Sequence, residues 1–199
     1  SAWLPYVPMA PIQVLTNNLL YDFSQVPIPT DNVGPLQTAK PRPWNMGEIA
    51  KFIVCIGPIS SIFDYTTYAI MWFVFKCNDL GLVPPPELAA RYAGITNPEK
   101  TYAAALFHTG WFVESLMTQT LIIHVIRTNL LPFVQSRASW QLTMTTLLIM
   151  AFGAWLPFSP LAPALGFVPL PPLFWWLLLG TLLCYVGLTQ VIKMWLIRK

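Results

Sequence analysis

Charge is what this sequence has least of. Asp, Glu, Lys and Arg together make up 10% of its residues, where an ordinary soluble domain carries about 25%. That scarcity excludes a typical water-soluble domain. The net charge of +3 is small and scattered, which excludes the clustered basic footprint of a nucleic-acid-binding protein. Cysteine is scarce as well: Cys55, Cys77 and Cys184 stand far apart and form no CxxC pair. They imply no disulfide framework and read as apolar filler. With only two histidines, no His/Cys grouping has zinc-site spacing. There is no Ser-His-Asp arrangement and no phosphate-binding loop. The opening SAWLPYVPMAP lacks the basic region that precedes a signal-peptide core. No internal repeat or low-complexity tract interrupts the chain.

What is there is long apolar runs, in a chain that is 55% hydrophobic. A membrane span needs about 20 mostly apolar residues. Five such spans are expected, over about 9–26, 49–76, 102–126, 140–156 and 173–197. The first is the least apolar. The expected fold class is an all-α membrane protein with five transmembrane helices. Tryptophans such as Trp72, Trp111, Trp175 and Trp176 read as lipid-facing or interfacial packing. The connections are rich in proline, which blocks helix interiors and stiffens extended chain. Residues 27–48 hold Pro27, Pro29, Pro35, Pro41 and Pro43. Residues 77–101 carry the run Pro84, Pro85, Pro86, and residues 157–172 hold six prolines and no charge.

Basic residues orient a membrane chain, because the cytoplasmic side retains an excess of Lys and Arg. Lys40, Arg42, Lys51, Arg127, Arg137, Lys193, Arg198 and Lys199 fall on one side if five helices alternate. Lys76, Arg91 and Lys100 fall on the other, a margin of eight to three. The expectation is therefore Ser1 outside and Lys199 in the cytoplasm. A chain that starts outside, without an initiator methionine or a signal, reads as the C-terminal piece of a longer membrane protein.

Three carboxylates, Asp22, Asp64 and Glu114, lie within the spans. Facing lipid, they would cost on the order of 8–10 kcal/mol together, so they are expected to face the bundle interior and share a polar site. Asn18 and Asp22 are four residues apart and share a helical face, with Asn17 and Tyr21 beside them. An amide oxygen next to a carboxylate makes a pair of hard oxygen ligands, the kind magnesium and calcium prefer. Glu114 and Thr118 share a face of the third span, with Gly110 one turn earlier to admit a neighbouring helix or an ion, and Gln119 alongside. Asp64 follows a Gly57-Pro58 pair expected to kink the second span. Each residue also has a purely structural reading. Asn18 and Asp22 suit a helix cap or an interhelical hydrogen bond. Glu114 suits a protonated glutamate bonded to a neighbour, Asp64 a structural polar group and Gly110 close packing. His108 and His124 suit interface residues.

The segment NLLYD, Asn18 to Asp22, resembles the NLxxD pattern in the sixth membrane helix of P-type ATPases. The continuation PIPTDNV…KPRPW is similar to the cytoplasmic loop that follows it. IGPISSIFDYTTYAIMWFVF, GWFVESLMTQTLIIHVIRT and PFVQSRAS resemble the bacterial magnesium-transporting subgroup, so the likeness covers nearly the whole chain. The resemblance implies that the spans are helices six to ten of the pump's transport domain, in the bacterial inner membrane. It implies that Asn18 and Asp22 match the pair that binds the ion in calcium pumps, and that Glu114 stands where those pumps place an eighth-helix glutamate ligand. Tyr21 replaces a threonine of that pattern, and Tyr21 and Asp64 are secondary metal candidates. The implied cargo is magnesium. ATP and a catalytic magnesium ion would be bound only by domains not represented here, since the phosphorylation motif DKTGT is absent. By itself this piece should be inactive. Its implied partners are the first five helices and cytoplasmic domains of the same polypeptide, and membrane lipid. Two alternatives stay open: a pump of this family for calcium or protons, and a non-catalytic membrane scaffold whose carboxylates are structural.

Overall fold

The computed structural model describes residues 4–32, 46–127 and 138–197. All regular structure among them is helical. Helix α1 spans Pro11–Gln25, with proline at its first position, where the ring presets φ and no amide hydrogen is wasted. A 3-10 turn, Ile28–Thr30, follows it. Helix α2, Met46–Ala69, runs on through Pro58 and widens into a π-helical turn, Ile70–Val74. Lys76, at φ 54°, then turns the chain away. Helix α3 is the short Pro86–Tyr92. Helix α4, Tyr102–Ile126, begins at Thr101, whose hydroxyl accepts the Ala104 N–H. Helix α5, Trp140–Trp155, begins at Ser139, whose hydroxyl accepts the Leu142 N–H. Both caps satisfy one of the donors that every helix start leaves open. A single turn, α6 (Ala162–Leu165), ends at Gly166, whose φ of 75° lies where a side chain would be strained. Helix α7 spans Pro172–Ile197.

Helix α4 is the centre of the bundle. Nineteen of its 25 residues are buried, because α1 and α5 pack on one side of it and α2 and α7 on the other. Close approach is built in by glycine. A Cβ at Gly110 would come within 2.7 Å of Met71 Sδ and 3.2 Å of the Phe174 ring, and one at Gly153 of α5 would collide with Leu116.

Among the described residues three helices are long and apolar enough to cross a membrane: Ile53–Val74, Trp140–Phe158 and Pro172–Leu196. Helices α1 and α4 are not among them. The first has 15 residues. The second carries His108, Glu114, Thr118, Gln119 and His124 in its interior. A helix enclosed by other helices meets protein rather than solvent or lipid on every side, so its polar residues can be satisfied without an apolar surface.

Each end of the bundle is tied by polar contacts. At the end that carries residues 77–101, the segment before α1 is held by its backbone. Glu99 accepts the Val7 N–H at 3.1 Å, His108 Nε2 lies 2.6 Å from the Val7 carbonyl, and Tyr6 donates to the Cys77 carbonyl at 2.7 Å. Burial pushes the Cys77 thiol up to about 12 and the Tyr6 phenol upward too. At the opposite end Asp31 receives Arg127 at 2.6 Å and the Ser139 N–H at 2.7 Å. Burial alone would push the Asp31 carboxyl up. These donors outweigh it and hold the group below the usual carboxylate range. His124 meets Thr146 at 3.0 Å. Lys193, counted in the sequence with a basic flank, is instead 3% exposed and donates to the Val125 carbonyl at 2.8 Å. The last carbonyls of α4 form a negative pole that attracts an ammonium group. Lys40, Arg42, Arg137, Arg198 and Lys199 lie outside the described residues.

Candidate cation site

Helix α1 has two polar faces, and the fold uses them differently. Gln13, Asn17, Leu20 and Ser24 recur at the helical interval and are buried against α4, α5 and the loop end. Gln13 donates to the Leu165 carbonyl at 3.0 Å, and Asn17 donates to the Phe112 carbonyl at 3.3 Å. Asn18 and Asp22 lie on the other side and are exposed, while Tyr21, between the two faces, is half-buried. A step of one residue turns the helix by about 100°, so Asn17 and its neighbour Asn18 cannot face the same partner. The expectation that every intramembrane carboxylate faces the interior therefore does not hold for Asp22 within this chain.

Glu114 is the reverse case. It is fully enclosed at the middle of α4, and neither carboxylate oxygen has a hydrogen-bond partner. Thr118, on the same face, donates to the backbone carbonyls of Glu114 and Ser115, and Gln119 donates to the Ser115 hydroxyl at 2.9 Å. Neither neighbour thus satisfies the carboxylate. Asp64, half-buried on α2, lies within electrostatic reach of Glu114. Two carboxylates sharing a low-dielectric interior repel each other unless a cation or a proton joins them. The Asn17 Oδ1 is also buried without a partner.

The structure thus brings Asp64 near Glu114 and sets Asn18 with Asp22 one turn apart on the open side of α1. It does not gather all of them into one closed shell. Among the described residues no group of three or more His, Cys, Asp or Glu side chains is placed to hold a metal ion. Asn18 and Asp22 present an amide and a carboxylate outward. His108 and His124 are buried and taken up by Val7 and Thr146.

Sequence reasoning passed over the polar stripe of α7 and counted Lys193 only as part of a basic flank. Thr181, Tyr185, Thr189 and Lys193 are all buried and stand four residues apart in an otherwise apolar helix. That spacing was visible in the sequence; length of the apolar run hid it.

A family model described as "Cation transporting ATPase, C-terminus" matches residues 6–195. The chain is similar to "Magnesium-transporting ATPase, P-type 1" of Salmonella typhimurium strain 14028s, at 47% identity over 193 residues, which is 97% of this chain and 19% of that protein. It is 45% identical over 193 residues to the protein of the same description from Escherichia coli K12, again 97% of this chain and 19% of the relative. A further such protein from Salmonella typhimurium LT2 is 41% identical over 199 residues, all of this chain and 20% of that one. The chain thus spans between 19% and 20% of the length of these curated relatives.

Proposed function

The chain belongs to the cation-transporting ATPases, in the region described as their C-terminus, and from that premise we propose that it is the membrane half of a pump that imports magnesium into the bacterial cytoplasm. ATP hydrolysis by other domains of the same polypeptide drives it. The observation that carries this reading is 47% identity, across 97% of the chain, to a protein described as a magnesium-transporting ATPase. The site chemistry agrees with it. Magnesium strips its water reluctantly and is held at roughly 2.0–2.1 Å by a few protein oxygens with waters retained. Asn18 and Asp22 offer such oxygens on an accessible helix face. Glu114 is the third ligand, and Tyr21 and Asp64 are secondary ones.

In this reading residues 1–199 form one transport-domain unit whose five spans, about 9–26, 49–76, 102–126, 140–156 and 173–197, are helices six to ten of the pump. Helices α1 and α4 cross the membrane inside a sheath of other helices, which relieves them of the need for an apolar surface. The face of α1 with Asn18 and Asp22 packs against the helices that precede this region, and lipid covers the outer faces of α2, α5 and α7. ATP and its catalytic magnesium bind the cytoplasmic domains of the complete polypeptide.

The test of cargo is uptake. The complete ATPase, expressed in cells that lack other magnesium importers, should restore magnesium accumulation, and its ATPase activity should respond to magnesium at a transport site. Stimulation by calcium or by protons alone would move the chain to another cargo of the same family. Normal assembly with no cation-dependent turnover would leave the scaffold reading.

The orientation proposed has Ser1 outside and Lys199 inside, on the eight-to-three asymmetry of basic residues. In a background without native cysteines, Thr96→Cys should react with an impermeant thiol reagent on intact cells and Met46→Cys should not. Both positions are exposed in the fold, so labelling at Met46 alone would invert the topology.

A further inference from the structure

Helix α7 has the most apolar surroundings to satisfy, yet it buries a polar stripe. Its outward residues are large and exposed: Leu173, Trp176, Leu179, Leu183 and Val191. Its inward stripe at intervals of four is Thr181, Tyr185, Thr189 and Lys193, none more than 7% exposed. Leucine would pack at such positions at less cost, since a polar group buried in an apolar setting is unfavourable unless it finds a partner. Two of the four have a backbone carbonyl as partner. Thr181 donates to the Leu177 carbonyl at 2.9 Å and Lys193 to the Val125 carbonyl at 2.8 Å. Tyr185 sits at the junction of α2, α4 and α7. Its ring lies edge-on to Phe63 at 5.3 Å and packs with Ile59, Ile122 and Ile192. Its phenol faces the Ser60 hydroxyl and lies within electrostatic reach of Asp64 and Glu114.

The register of α4 and α7 sets where that phenol points. The two helices run in the same direction, for Phe174 abuts Gly110 near their starts and Lys193 reaches Val125 near their ends. Tyr185 lies between these contacts. A helical side chain leans back toward its own N-terminus, which carries the phenol from the level of Ile122 toward Thr118 and Glu114. On α2, Ser60 and Asp64 share the facing stripe, one turn apart. A phenol both donates and accepts, and beyond it stand two buried carboxylate oxygens with no partner.

We propose that Tyr185 is a positioning residue of the cation route, whose phenol orients the Asp64 and Glu114 carboxylates from the α7 side. The proposal rests on reading Glu114 as a cation ligand. The phenol makes no direct hydrogen bond to Glu114; it acts across a separation that a water or the cation itself bridges. It therefore sets cation affinity rather than the maximal rate.

In the complete ATPase, Tyr185→Phe keeps the ring against Phe63 and removes the hydroxyl alone. The magnesium concentration for half-maximal ATPase activity should rise about 5- to 10-fold, the size of one lost hydrogen bond of ordinary strength, as suits a contact made through a bridge. Maximal rate and protein level should stay within about twofold on the same grounds, because the packing is unchanged. A purely structural tyrosine would instead lower protein level and leave the half-maximal concentration alone, and that result overturns the proposal. If Glu114→Gln shifts cation dependence while Tyr185→Phe does not, the role of Tyr185 fails and the cation reading of Glu114 stands. If neither variant shifts it, both fail together.

Discussion

Asp22→Asn in the complete ATPase should abolish magnesium uptake, lowering it by at least about 100-fold, the order expected when one member of a close charge pair is lost. Asp22 is exposed on α1, one turn from Asn18. The substitution keeps the size of the side chain and one oxygen ligand and removes only the charge. A divalent cation in a membrane site gains far more from a carboxylate than from an amide, because the surrounding dielectric is well below that of water. Asn18→Ala should weaken uptake less, since a dipole rather than a charge disappears. Insertion and protein level should not suffer, because a neutral amide is cheaper than a carboxylate to place in a membrane. Radioisotope uptake in cells lacking other importers, at matched protein levels, decides the matter. Wild-type uptake by the Asp22→Asn pump would remove Asp22 from the ion site and leave the interhelical hydrogen-bond reading in its place, since α1 is capped at Ala10 and Val26 rather than at Asp22.

Glu114→Gln is the second large effect expected. Glu114 has no exposed surface, and both of its oxygens are unpartnered, an arrangement that water or a neighbouring group relieves almost everywhere else in proteins. If the carboxylate completes its coordination with the transported cation, glutamine should raise the magnesium requirement of the ATPase about 10-fold, one charge being exchanged for a dipole. Protein level should remain near normal because the shape is kept. If Glu114 is instead a protonated structural group, glutamine replaces it almost silently. Titrating ATPase activity with magnesium separates the cases. An unchanged half-maximal concentration would strike Glu114 from the ligand set.

These two residues show how far a pattern of residues reaches. The spacing of Asn18 and Asp22 puts them on one face of a helix whatever the fold, and their likeness to the NLxxD pattern was readable without coordinates. Which way that face looks was not. Asn17 and Asn18 are chemically identical and adjacent, yet one is 3% exposed against α4 and the other is open. Periodicity separates faces but does not say which of them meets protein. The sign that Asn17 belongs inside is its register with Gln13, Leu20 and Ser24, and it has meaning only once α4 is in place. Gly110 was read as a point of close approach or part of a site. The fold gives it to packing, with Met71 and Phe174 pressed against it.

Sequence by itself determined the medium and the family. A chain with 10% charged and 55% hydrophobic residues cannot solvate its surface as a soluble domain does, and the ordered segments from NLLYD onward carry the likeness to magnesium-transporting P-type ATPases. Tertiary structure decided which helix is enclosed. Helix α4 is not among the helices apolar enough by themselves to cross a membrane, as α7 is; it is central because four other helices close around its side chains, polar ones included. It also decided that Lys193 is buried on a helix end, that Asp64 lies within electrostatic reach of Glu114, and that Tyr185 lies within reach of both. The reason is common to all three. Burial and charge pairing depend on what surrounds a side chain on every side, and each of these residues owes its surroundings to helices distant in the sequence.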